Sequence, residues 1–139
     1  MTVTALWIPF EVTGAGQFDA TARFYRDLLA LPETDRWTRD GEDGAVYAAG
    51  PAGRIEVVHP ASPPSGTSPP FGTSPPSRTG APPIALELPD RPAVDALYDR
   101  LSTHEVSATK PATFPRGHYG FTATDPAGNA VLLWSEAKR

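Results

Sequence analysis

Prolines concentrated in one internal stretch divide this sequence into two parts of similar length. Nine of the 17 prolines lie in residues 60–83, PASPPSGTSPPFGTSPPSRTGAPP, in which the unit GTSPP occurs twice. Proline lacks a backbone N–H group, and Gly, Ser and Thr offer little apolar surface to bury, so this composition favours a polyproline-like linker. The parts that must fold are therefore residues 1–59 and residues 84–139.

The two parts show the same order of predicted elements. Residues 19–31 and 92–103 carry apolar side chains at helical spacing, and Pro32 stops the first of these helices. The predicted strands are short runs bounded by turn residues: 5–12, 36–38, 45–49 and 54–59, then 84–88, 107–109, 119–124 and 131–134. The order predicts a single α+β domain of two βαβββ modules.

Composition excludes several classes of protein. The net charge is -4, and the arginines are scattered rather than aligned, which argues against binding to nucleic acid. No apolar run approaches the ~20 residues that cross a bilayer, and the MTVTALWIPF start lacks the basic residues of a signal peptide. We therefore expect no membrane association and a cytoplasmic location. The absence of cysteine excludes disulfides and thiolate metal sites.

Two short motifs resemble a known superfamily. FYRDLLALP (residues 24–32) is similar to the first-helix signature of the vicinal oxygen chelate superfamily, and DPAGNAVLL (residues 125–133) to its closing turn and last strand. This superfamily holds glyoxalase I, extradiol dioxygenases, fosfomycin-resistance enzymes and bleomycin-resistance proteins. The match between PAGRIEVV (residues 51–58) and PAGNAVLL (residues 126–133) supports a duplicated module, and the resemblance implies that the two modules form a cup-shaped mixed sheet.

The bleomycin-resistance branch is the most similar in the closing stretch GHYGFTATDPAGNAVLLWSE and in VDALYDRLS. The resemblance implies a homodimer that exchanges N-terminal strands and sequesters a drug without a metal. Metalloenzymes of the superfamily place ligands on four strands, and the resemblance puts those positions near Trp7, on Glu56, near Pro83 and on Leu132. Divalent metals in open sites need at least three donor side chains. Only Glu56 is a donor, so we expect no metal and no other cofactor.

The positions that the resemblance turns into the cup predict a binding surface for a planar small molecule. Indoles and aliphatic side chains around one or two carboxylates suit a weakly cationic or hydrogen-bond-donating ligand. We expect ligand contacts, but no catalytic or metal-binding residue, and the predicted ligand-binding residues are Trp7, Pro9, Glu11, Glu56, Val58, Tyr119, Phe121, Leu132 and Trp134.

Three other hypotheses stay open on the sequence. A metal-independent isomerase or cyclase would use Glu56 or Glu11 as a general base and Tyr119 or His118 as a proton donor. A metal-dependent lyase or dioxygenase would combine Glu56 with His59 or His118. The proline repeats would otherwise recruit a partner protein. For the linker itself, an inert spacer is preferred over a lid that carries Phe71.

Overall fold

A computed structural model of the protein describes residues 1–61 and 81–136. The described residues form two compact units, one on each side of the segment between them, which we call module 1 and module 2. Most of the predicted linker, including Phe71 and both GTSPP units, lies outside the described residues. The lid, the spacer and the recruitment of a partner by the proline repeats therefore stay predictions.

Module 1 is a four-stranded mixed sheet with one helix. Its strands lie in the order β1-β4-β3-β2, with β1 parallel to β4 and the other neighbours antiparallel. The elements are β1 (Leu6–Glu11), α1 (Ala15–Arg23), a π-helical turn (Phe24–Leu28), β2 (Glu33–Arg39), β3 (Glu42–Ala49) and β4 (Gly53–His59).

The first helix begins four residues earlier than the sequence predicts. Gly14 is its N-cap in extended backbone, and the side chain of Gln17 accepts a hydrogen bond from the Thr13 N–H at 2.8 Å. This hydrogen bond satisfies a backbone donor next to the helix start, so the helix can begin at Ala15 although Gly14 and Gly16 are poor helix formers. After the π-helical turn, Ala30 takes a positive φ of 57°, which ends the helical path before Pro32.

Aromatic rings pack between the π-helical turn that follows α1 and one face of the first sheet. Tyr25 lies 6.2 Å from Phe10 and 6.2 Å from Tyr47 between ring centroids, and all three side chains are buried. Burial raises the pKa of the Tyr47 phenol to about 12, and its hydroxyl donates a hydrogen bond to Glu33. This aromatic core fixes which face of the sheet the helix covers.

Module 2 repeats this arrangement. Its strands lie in the order β5-β8-β7-β6, again with a parallel pair (β5 and β8) and antiparallel neighbours. Tyr98 of the helix meets Phe121 of the sheet edge to face at 5.4 Å. The elements are β5 (Ile84–Glu87), α2 (Arg91–Thr103), β6 (Ala112–Thr113), β7 (His118–Thr124) and β8 (Ala130–Glu136).

One predicted strand is interrupted. Residues 107–109 pair with β7 at an isolated bridge between Ala108 and Ala123, flanked by backbone hydrogen bonds from Thr109 to Thr122 and from Thr124 to Ser107. The strand β6 follows at Ala112–Thr113 and pairs with Gly120 and Tyr119. Pro111 has no N–H group to donate between the two places, which interrupts a continuous ladder.

The matching Pro-Ala-Gly tripeptides stand differently in the two modules. Gly53, the last residue of the first tripeptide, is already the first residue of β4. Gly128, the last residue of the second, belongs to the turn that precedes β8 and has a φ of 90°. In that turn Asp125 is buried, and its carboxylate accepts hydrogen bonds from the backbone of Ala127 and Asn129.

The prediction of two βαβββ modules in an α+β fold is confirmed by the two mixed sheets, each with its own helix. None of the helices in residues 1–61 and 81–136 is long and apolar enough to cross a membrane.

Candidate functional site

Each sheet has a face that its own helix does not cover, which we call the distal face of that module. Successive side chains of a strand point to opposite faces, and paired residues of neighbouring strands share one. In module 1, Phe10 and Tyr47 pack on the helix, so their strand neighbours point to the distal face. In module 2, Phe121 packs on Tyr98 of α2, and the residues that alternate with it are distal.

Five of the predicted site residues share the distal face of module 1. Pro9 pairs with Glu56 and Glu11 with Val58 across the parallel strands, and Trp7 lies two residues before Pro9. Trp7 is 49% exposed, whereas Val58 is nearly buried at 7%. The Oε1 atom of Glu11 is buried and has no hydrogen-bond partner among the described residues.

A third tryptophan, left out of the predicted site, lies on the same distal face. Trp37 pairs with Gly44, and its indole fills the space that a side chain at Gly44 would occupy. The indole Nε1–H donates to Glu42 Oε2 at 2.8 Å, so the ring is held at its polar edge as well as by packing. The glycine opposite Trp37 is the sequence signal that would have placed this ring flat on the sheet.

The distal face of module 1 carries a perturbed carboxyl. Glu56 and Glu42 both point to this face. Burial raises the pKa of Glu56, and the negative charge of Glu42 raises it further. A hydrogen-bond donor or a positive charge placed beside Glu56 would stabilise its ionised form.

Leu132 and Trp134 lie on the distal face of module 2. Leu132 pairs with Ala85 and Thr122, and Trp134 pairs with Glu87 and Gly120. The indole of Trp134 also lies against the imidazole of His118 in a tilted arrangement, with 4.4 Å between ring centroids and 32° between their planes. The strand alternation of residues 118–124 places His118 on this face.

Tyr119 and Phe121 lie on the opposite face of module 2, turned towards α2. Phe121 is fully buried against Tyr98, and the Tyr119 hydroxyl donates a hydrogen bond to Asp95 of the helix. This hydrogen bond, followed by burial, raises the pKa of Tyr119. The two side chains are part of the packing between helix and sheet, so we leave them out of the proposed binding surface.

The residues carried over to the metal positions do not fit a divalent metal. Of Trp7, Glu56, Pro83 and Leu132, one has a donor side chain, and Glu56 and His59 point to opposite faces of β4. His59 pairs with Asp43, with its Nδ1 3.6 Å from the Asp43 carboxylate. Within the described residues, no three His, Cys, Asp or Glu side chains form a group that could hold a metal ion.

The fold and the sequence identify the family. The model of the Glyoxalase/Bleomycin resistance protein/Dioxygenase superfamily matches residues 12–133, and the chain belongs to this superfamily. Among curated proteins, none shows significant similarity to the sequence.

Solved structures from several bacteria share the fold. Lactoylglutathione lyase from Agrobacterium tumefaciens is 19% identical, with a TM-score of 0.69 over 96% of this chain and 94% of that one. A glyoxylase/bleomycin resistance protein/dioxygenase domain from Frankia sp. EAN1pec is 15% identical, with a TM-score of 0.70 and 98% of each chain covered. TnmS3, an antibiotic binding protein from Streptomyces sp. CB03234, is 22% identical, with a TM-score of 0.63 over 98% of this chain and 99% of that one.

Proposed function

We propose that this chain is a metal-independent protein that binds a planar small molecule and sequesters an antibiotic or a related natural product. One observation carries the proposal: indoles occupy the distal faces, whereas three of the four carried-over metal positions hold Trp7, Pro83 and Leu132, which have no donor atom for a metal. A surface of this kind binds through stacking and apolar burial.

The distal face of module 1 favours a ligand with a positive charge or a hydrogen-bond donor. Trp7 presents a half-exposed indole, and the Glu11 carboxylate has an oxygen without a partner among the described residues. Glu56 is partly buried beside the like charge of Glu42. A donor or cation that approaches these carboxylates satisfies the open oxygen, relieves the repulsion, and stacks on the indole at the same time.

The comparisons support this proposal without deciding it. TnmS3 is an antibiotic binding protein, and the lactoylglutathione lyase of the same fold is an enzyme. The superfamily therefore holds both functions, and the choice between them rests on the side chains of this chain. Its residues favour binding, because three of the four carried-over metal positions hold side chains without a donor atom and indoles lie on both distal faces.

We also propose that the protein forms a homodimer in the cytoplasm. The exposed large apolar side chains of the described residues all lie at the N-terminal end, and they are Met1, Val3, Leu6 and Trp7. Leu6 and Trp7 begin β1, which is an edge strand of its sheet. Exposed apolar side chains at a sheet edge favour contact with a second chain, and sedimentation velocity of the full chain measures the oligomeric state.

A second candidate function has a specific observation in its favour. Glu56 has a raised pKa and shares its face with Glu42, which suits a general base in a metal-independent isomerase or cyclase. The Tyr119 hydroxyl, one of the proton donors considered for this reaction, is engaged by Asp95 on the helix side. Conversion of a bound compound by the parent, abolished in Glu56→Gln, would favour this function over sequestration.

Tryptophan fluorescence of metal-stripped protein tests the binding function. Titration with a panel of planar natural products that includes bleomycin is expected to give saturable quenching, unchanged by added zinc. Trp7→Ala or Trp134→Ala should weaken binding at least about tenfold, since each removes an aromatic contact worth ~1 kcal/mol and its buried area. Ile8→Val is the matched control, because Ile8 neighbours Trp7 but points to the other face. Quenching that appears only after a divalent ion is added would contradict the proposal.

A further inference from the structure

Four paired residues form one row across the distal face of module 1. Glu11 of β1 pairs with Val58 of β4, Val58 with Gly44 of β3, and Gly44 with Trp37 of β2. Gly44 has no side chain, and the Trp37 indole fills the space where a Cβ would lie. The indole therefore reaches inward over β3, and Val58 lies between it and Glu11. The Cα atoms of Glu11 and Gly44 are separated by two strand spacings, about 10 Å, so one small group over Val58 can touch both the indole and the carboxylate.

The polar atoms that this row offers to a ligand are acceptors. Glu11 Oε1 is buried and has no hydrogen-bond partner among the described residues. The single N–H group of the Trp37 indole already donates to Glu42 Oε2 at 2.8 Å, so the ring offers a ligand only its π face. A carboxylate oxygen and a π face both attract positive charge, and neither of them attracts an anion. The row therefore selects a donor or a cation over an acceptor.

The charges around the row favour a cation over a neutral donor. Glu42 and Glu56 point to the same face, and burial, followed by the negative charge of Glu42, raises the pKa of Glu56. Two arginines share this face: Arg54 donates to backbone carbonyl groups next to the start of β4, and Arg39 is exposed at the end of the hairpin. Neither forms an ion pair with a glutamate of this face within the described residues. A cation offsets the repulsion between the carboxylates, which a neutral N–H or O–H group does not.

We propose that Trp37 and Glu11 form the two walls of a subsite that binds a protonated amine attached to the planar part of the ligand. The ammonium group lies over Val58, donates to Glu11 Oε1 and contacts the π face of the Trp37 indole. Trp7 lies four residues from Glu11 along β1, about 13 Å away, where it can contact the planar part. This inference rests on the proposed binding function and narrows its ligand class to amine cations. It also makes Trp37 a ligand-contacting residue outside the predicted set.

Equilibrium dialysis at pH 7 with matched probes tests the inference. 2-Naphthylmethylamine and 2-naphthalenemethanol share a planar ring, and both donate a hydrogen bond, but only the amine is a cation at this pH. The parent should bind the amine about tenfold more tightly, because the cation gains a charge-assisted hydrogen bond and the contact with the indole. Glu11→Gln should remove most of this preference and leave the affinity for the alcohol nearly unchanged, since glutamine keeps the shape and an acceptor oxygen.

Two further variants complete the design. Asp19→Asn is the matched control: it also replaces a carboxylate by an amide, but Asp19 is exposed on α1, on the other side of the same sheet, so the preference should be kept. Trp37→Leu removes the π face, and should weaken binding of the amine about two- to fivefold more than binding of the alcohol.

The possible outcomes separate the two proposals. Equal affinity for both probes in the parent, or a full preference in Glu11→Gln, would overturn the subsite and leave the binding function standing. Loss of the preference in Asp19→Asn would also overturn it, because the amine would then respond to net charge alone. Failure of the parent to bind either probe would overturn the inference and count against the binding function too. If Glu11→Gln does not fold by circular dichroism, Trp37→Leu decides, and equal weakening of both probes would contradict the inference.

Discussion

A methyl group added at Gly120 would collide with the backbone of the neighbouring strand. A Cβ built there would lie 2.8 Å from both Cα and Cβ of Trp134, and closer still to the Leu133 carbonyl oxygen, where ordinary contacts begin at 3.4 Å. The contacting atoms are mainly backbone of β8, the central neighbour of β7, so the strands must separate by several tenths of an ångström. Gly120→Ala therefore overpacks a central strand pair.

The magnitude follows from two opposing effects. Overpacking of a filled interior costs about 1–3 kcal/mol. Replacement of glycine by alanine returns about 0.4–1 kcal/mol, because the unfolded chain loses conformational freedom. The midpoints leave a net loss, so we expect Gly120→Ala to lower the free energy of unfolding of module 2 by ~1.3 kcal/mol, which lowers the ratio of folded to unfolded protein about ninefold.

Urea unfolding followed by the fluorescence of Trp134 measures this change. Trp7→Phe and Trp37→Phe in the background leave Trp134 as the single indole of the chain. Gly44→Ala in the parent is the matched control, since the built Cβ meets only side-chain atoms of Trp37 there. Moving that indole aside breaks one hydrogen bond, at a cost of ~1 kcal/mol. The reduced freedom of the unfolded chain offsets part of this cost, so Gly44→Ala should lower the free energy of unfolding by less than about 1 kcal/mol. If Gly44→Ala were the more damaging of the two, the reasoning from backbone contact would be wrong.

Substitutions at three further positions test separate parts of the fold by chemical denaturation. Asp125→Ala removes the acceptor for the backbone of Ala127 and Asn129, and should cost ~3 kcal/mol, whereas Asp125→Asn should cost less. Asp90→Ala removes the N-cap of α2 and should cost ~1 kcal/mol. Because the pKa of Glu56 is raised in the folded protein, stability should fall as the pH rises from the ordinary glutamate pKa of 4.5 through the folded value, then level off. Glu56→Gln should therefore be more stable than the parent at pH 7 and equal to it at pH 3; equal stability at both would contradict the raised pKa.

The sequence predicts where elements lie better than which way their side chains face. The strand predicted at 54–59 is found as β4 (Gly53–His59), and the helix predicted at 92–103 as α2 (Arg91–Thr103). These elements have apolar periodicity and clear turn residues at their ends, which are local signals. The sequence does not predict the start of α1 at Ala15. The Gln17 side chain supports this start by accepting a hydrogen bond from the Thr13 N–H, but nothing in the sequence distinguishes Gln17 from any other polar residue.

Facing is a tertiary property, and two pairs of residues show why. Tyr119 and Phe121 alternate with His118 and Gly120, and the strand pattern alone fits either pair on either face. Packing of Phe121 against the helix assigns the faces, which the sequence of the strand does not encode by itself. Trp37 escaped the predicted site for a related reason, because its strand is otherwise polar and exposed.

The two Pro-Ala-Gly tripeptides show how a duplicated module can change its chemistry without changing its strand residues. Counted from Gly53, the third residue is Glu56, on the distal face; counted from Gly128, the third residue is Val131, buried on the helix side. One additional residue in the turn before a strand shifts the strand by one position. Side chains that faced the core then face the ligand, and those that faced the ligand then face the core. For this superfamily, a one-residue insertion or deletion at such a turn is a route to a new binding surface, provided that the side chains on both faces are apolar enough to serve as core.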